Sequence, residues 1–243
     1  MTFDFAAAYD ELNADDDDYC FYADLADVLA AQHILDLGCG TGTLARLVAA
    51  AGRTVIAIDP DVEMLRVARS RPGADAVDWR LGYSDSADPG WADLAVMSGH
   101  VAQVFVEDAA WAAVLDDLHR ALRPGGTLAF ESRNPDARGW ERWTRADTLR
   151  TVGTPDGPME FWHETLAVAL PHVTYATYDR NLATGVENHD SEILAFRDMA
   201  ALRSSLDRAG FEVVVLYGDW SRTPVTETSR ELIVVAEARP PQA

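Results

Sequence analysis

Apolar positions along the chain follow two alternating periods. Short apolar runs at residues 34–37, 54–58, 76–81 and 92–97 read as strands. Between them, apolar residues return every three or four positions. Leu44, Leu47, Val48 and Ala51 form one such helical face, and Val62, Leu65 and Ala68 a second. The longest stripe, Trp111, Val114, Leu115, Leu118 and Leu122, predicts a helix over 108–122, ended by Arg123-Pro124-Gly125-Gly126. A fifth strand is expected at 127–131. Strand–helix alternation with short strands implies a mainly parallel sheet covered by helices.

The alternation stops after residue 135. Residues 136–190 are rich in Thr, Tyr, Trp, Pro and Gly and carry partly alternating runs, which predict a β-rich insertion of antiparallel hairpins within a single domain spanning 1–243. Helical spacing returns at 197–209, followed by strands at 211–217 and 231–238. Near the start, residues 1–18 show no clear element, and Tyr22, Leu25, Ala26 and Leu29 predict a short helix. Ligands of open α/β sheets bind beyond the carboxyl ends of the strands. Residues 1–30, with Tyr9 and Tyr19, therefore form either a helical lid over that edge or plain hydrophobic packing.

The 243 residues carry 40 acidic and 20 basic side chains, a formal charge of -20. Such a surface repels nucleic-acid backbones and anionic membranes at long range. No apolar run is long enough to cross a bilayer, and the acidic N-terminus lacks a signal-peptide pattern. Two cysteines without a paired motif suit a reducing cytoplasm. Cys39 reads as a small residue fitted into a turn, and the histidines lack metal-ligand spacing, so no metal is expected.

The chemistry concentrates in His33–Gly42, HILDLGCGTG. A strand running into Gly38, Gly40 and Gly42, then a helix, brings backbone close to a nucleotide-like ligand. The dinucleotide fingerprint asks for a third glycine where Thr43 stands, which weakens a nicotinamide or flavin reading, and a phosphate loop would need a lysine that is missing.

Leu35–Gly42, Asp59 after the second strand and Leu122–Gly126 before the fifth, in that order, resemble the class I S-adenosylmethionine-dependent methyltransferases of small-molecule, bacterial metabolic type. The resemblance implies a Rossmann-like three-layer α/β sandwich with a mostly parallel seven-stranded sheet whose last strand is antiparallel. It also implies S-adenosylmethionine as methyl donor and S-adenosylhomocysteine as product. Gly38, Cys39, Gly40 and Gly42 would pass beneath the methionyl part, with Asp36 serving the methionyl amine or ordering the turn. Asp59 would accept the ribose hydroxyls, while Pro60 and Met64 would lie near the adenine. The family's Gly-Asp pair after the third strand is Gly82-Tyr83 here, so Tyr83, Ser84 or Asp85 is left for the adenine amine.

Transfer from a sulfonium needs an acceptor held in line and water excluded, with a base where the acceptor bears a proton. Ser98 and His100 follow the fourth strand. His100 is the candidate base, or else serves a turn hydrogen bond. Arg133 is placed to neutralise an acceptor carboxylate or phosphate, or to form a salt bridge. With Tyr9, Tyr19, Trp162, His163 and Trp220 these residues make up the expected pocket for a small-molecule acceptor, in a monomer or homodimer. An NAD(P)-binding oxidoreductase and a noncatalytic S-adenosylmethionine-binding module are the alternatives.

Overall fold

The computed structural model describes residues 4–154 and 157–240. It opens with two helices, α1 (Phe5–Leu12) and α2 (Asp17–Val28), where only the second was expected. Three consecutive alanines blur the periodicity of α1, but Asp4 caps it by accepting the Ala7 N–H. The alternating region follows as β1 (His33–Leu37), α3 (Thr43–Ala50), β2 (Thr54–Asp59), α4 (Val62–Ser70), β3 (Val77–Leu81), β4 (Ala92–Met97), α5 (Asp108–Ala121) and β5 (Leu122–Arg133). Asp61 starts α4 by accepting the N–H groups of Glu63 and Met64. β5 begins five residues before its expected start, because Leu122 already pairs with Ala92 of β4, and Arg123-Pro124-Gly125-Gly126, with Gly125 at φ +77°, bulges out before the register resumes at Leu94↔Thr127.

The insertion contains α6 (Arg145–Thr148) and the strands β6 (Arg150–Thr154), β7 (Gly157–Ala169), β8 (His172–Asn181) and β9 (Glu187–Ala195). These pair in sequence order as an antiparallel sheet that extends past the expected boundary at 190. The chain then returns through α7 (Met199–Arg208), β10 (Phe211–Tyr217) and β11 (Glu231–Ala238).

The main sheet has the order β10-β11-β5-β4-β1-β2-β3. Strands β1 to β5 pair in parallel, whereas β11 lies antiparallel to both neighbours, so this is a Rossmann-like α/β sandwich. Alternate strand residues feed two cores, as the pleat requires. Leu35, Ile56, Met97, Phe130 and Val234 pack with α5 and α7 on one face. Ile34, Val55, Leu94, Ala129 and Ile233 pack with α2, α3 and α4 on the other. Among the described residues no helix is long and apolar enough to cross a membrane.

Candidate active site

The carboxyl ends of β1 to β5 converge on one edge, joined there by Glu231, which opens β11 opposite Arg133. At the end of β1 the Gly38 N–H donates to the Ile58 carbonyl at 2.8 Å, tying the turn to β2. Gly38 has φ +76°, and a Cβ built there would stand 2.4 Å from Val101 Cγ2. Gly40, at φ +53°, has no atom within 4 Å of such a Cβ, so the turn is packed behind and open in front. Gly42 adopts φ +76° as the cap of α3, and Cys39 is a buried thiol kept protonated by burial.

Two carboxylates flank this turn. Asp59 Oδ2 accepts the Gly40 N–H and Oδ1 the Asp61 N–H, both at 2.8 Å. Burial raises its pKa, and those two amides oppose the rise. Asp36 is fully buried, and neither oxygen makes a hydrogen bond of good geometry. Burial and the nearby Asp59 charge push its carboxyl up to about 7, with the Ala45 amide offsetting part of the rise. Pro60 is exposed and Met64 half-buried on the first turn of α4. After β3, Tyr83 is 67% exposed, whereas Ser84 is buried with its hydroxyl donating to Asp117 of α5 at 2.6 Å.

The end of β4 supplies buried Ser98, then Gly99 and His100, whose φ is +64°. Glu131, near the end of β5, is fully buried and accepts the His100 N–H and the Tyr22 hydroxyl. Burial raises the Glu131 pKa, and His100 and Tyr22 counteract it. The His100 ring meets Glu231 through Nε2, 2.9 Å from the carboxylate. Glu131 and Glu231 escape a reading by motif. The only signal for Glu131 is a charged residue on the inward period of an otherwise apolar strand.

Helices α1 and α2 cover this edge. Asp10 accepts the Thr41 hydroxyl and pairs with Arg71 at 2.6 Å. The Asp18 carboxylate accepts the Tyr19 N–H at 2.8 Å, and burial moves its pKa up to about 6, against the pull of the Tyr19 and Gly99 amides. Tyr9 and Tyr19 are half-buried, with the Tyr9 hydroxyl close to Gly99.

The insertion forms the remaining wall. The Arg133 guanidinium lies 5.3 Å from the Trp143 ring, Trp143 is 5.2 Å from Tyr175, and Tyr175 is 5.8 Å from His163. Burial and the charges of Arg133 and Arg150 lower the His163 pKa, so its imidazole is neutral near pH 7. Trp162 and His163 are not brought together. Consecutive strand residues face opposite ways, and Trp162 stacks on Tyr178 at 5.0 Å beneath the Arg145 guanidinium. Trp220 packs on Phe21 and Tyr22 of α2, at 5.6 and 6.0 Å between ring centroids.

Comparison with known proteins finds likeness to methyltransferases. The family described as "Methyltransferase domain" matches residues 34–126. A ubiquinone/menaquinone biosynthesis C-methyltransferase of Rubrivivax gelatinosus is 38% identical over 110 residues, 44% of this chain and 41% of that protein. This chain therefore spans less than half of that relative. The cypemycin N-terminal methyltransferase of Streptomyces sp is 28% identical over 86% of this chain and 84% of its own length. Among solved structures, the CcbJ methyltransferase of Streptomyces caelestis superposes with a TM-score of 0.76 at 22% identity, covering 93% of this chain and 90% of that one. A Clostridium acetobutylicum S-adenosylmethionine-dependent methyltransferase gives 0.76 at 13% identity, covering 97% and 98%. At those identities the superpositions establish the fold.

Proposed function

We propose that this chain is a class I S-adenosylmethionine-dependent methyltransferase, a reading supported by the matched methyltransferase domain and the shared fold, and that it transfers a methyl group from that cofactor to an O, N or C atom of a small molecule. The observation that carries this reading is the pairing of Gly40 with Asp59 beside the partnerless Asp36. The residues present fit the cofactor. Asp59 keeps lone pairs for two ribose hydroxyls, Asp36 offers a buried carboxylate to a methionyl ammonium, and the backbone at Gly40 has free space before it. Bound there, the cofactor supplies an activated methyl on a sulfonium.

The chain's own residues then have three tasks. Helices α1 and α2 exclude water from the edge, and the insertion wall positions the acceptor. His100 takes the acceptor's proton. With Nε2–H donated to Glu231, Nδ1 carries the free lone pair, and the Glu231 carboxylate stabilises the imidazolium that forms. Calorimetry with S-adenosylmethionine and S-adenosylhomocysteine tests the reading. Uptake of both is expected, whereas uptake of a nicotinamide dinucleotide in their place would refute it.

A further inference from the structure

The carboxylates around Arg133 have internal donors, whereas among the described residues Arg133 itself has no ion-pair partner. Glu131 holds Tyr22 and the His100 amide, Glu231 holds the His100 ring, and Glu192 accepts the Tyr175 hydroxyl at 2.8 Å. Asp18 accepts the Tyr19 amide. Arg133, the last residue of β5, donates from Nη1 to Gln103 Oε1 at 2.9 Å. Among the described residues no carboxylate stands within ion-pairing distance of it. Compare the buried Arg53 and Arg197, which meet Asp27 and Asp108.

Desolvation works against the Arg133 charge, and the fields of Glu231 and Glu131 help to retain it. A guanidinium is protonated at any working pH and offers five N–H donors in a planar fork. Most of that fork is unspent, and the half-buried side chain remains open to a ligand. Its cation lies over Trp143, next to Tyr175 and neutral His163.

We infer that the acceptor carries a carboxylate, held by the Arg133 fork with its apolar part on Trp143 and Tyr175. This rests on the methyltransferase reading and names its substrate class. A carboxylate matches the fork in shape and charge. A dianionic phosphate would bring a second charge toward Glu131 and Glu231, where His163 is neutral and Arg150, exposed to solvent, has one guanidinium nitrogen on the Leu12 carbonyl at 2.6 Å.

The test uses the whole chain loaded with S-adenosylhomocysteine and two probe pairs, benzoate against benzamide and acetate against acetamide, titrated by NMR. At least one anion should bind about tenfold tighter than its amide. Arg133→Met should abolish that preference while S-adenosylhomocysteine affinity stays unchanged, and Arg133→Lys should restore part of it. Equal affinity within both pairs, or a preference that survives Arg133→Met, overturns the inference. Phenyl phosphate binding about tenfold tighter than benzoate also overturns it. Failure of S-adenosylhomocysteine to bind defeats the methyltransferase reading itself, whereas its binding without any anion preference defeats this inference alone.

Discussion

The Asp59 carboxylate accepts the Gly40 N–H at 2.8 Å, so the acidic end of β2 and the middle of the glycine turn move as one unit. Asp59→Ala removes this support and, on the proposed function, the acceptor of the ribose hydroxyls. We expect S-adenosylhomocysteine binding to weaken by about 1–3 kcal/mol, and Asp59→Asn, which keeps one acceptor oxygen, to lose less. Calorimetry decides, and unaltered affinity would exclude Asp59 from the site.

Two glycines of the same turn should separate stability from binding. Both have positive φ, which costs an alanine roughly 1 kcal/mol. Gly38→Ala also drives a Cβ into Val101 and should lower stability well beyond that, because the contact lies in a packed region. Gly40→Ala meets no protein atom, so its urea midpoint should fall only slightly while cofactor affinity falls. Equal loss of stability in both variants would contradict the geometry.

Asp36 titrates between about 3.8 unfolded and about 7 folded. The unfolded chain therefore releases this proton first, and the folded state loses stability as pH rises through that window. Asp36→Asn should be more stable than the parent at pH 8, with the gap closing by pH 4. Cofactor affinity should move the other way. An ammonium prefers the ionised carboxylate, so binding by the parent should strengthen from pH 6 to pH 8, and the Asn variant should lose that dependence. Thermal melts and calorimetry across this range check both halves.

Tyr22 of α2 donates to Glu131 in the interior. Tyr22→Phe leaves that carboxylate one donor short and should cost about 1–3 kcal/mol. Because the bond joins the N-terminal helices to β5, limited proteolysis should cut near residues 13–16 sooner in the variant. An unchanged cleavage rate together with unchanged stability would show the bond to be unimportant.

Much of this arrangement was legible in the chain. Strong periodicity gave β1, β2, β4, α5, β10 and β11, and the glycine turn followed by Asp59 pointed to the sheet edge where we propose the cofactor binds. What escaped lacked a local signature. Helix α1 is short and alanine-rich, and β6 is a five-residue edge strand whose pairing with β7 is a tertiary fact. Glu131 and Glu231 look like ordinary strand charges until the fold brings Tyr22, 109 residues distant, and His100, 131 residues distant, beside them. Trp162 and His163 are neighbours in sequence, yet the pleat sends them to opposite faces.

The insertion leaves the main sheet after β5 and returns before α7, while β5 and β11 pair without interruption from Arg133↔Glu231 to Thr127↔Glu237. The backbone ladder of that seam uses no residue of the insertion, which meets it at Arg133 through Trp143. A chimera carrying a relative's excursion in place of this one should therefore still assemble its central platform and retain the donor, with only its choice of recipient reassigned. Selection can rewrite one half of the reaction without renegotiating the other.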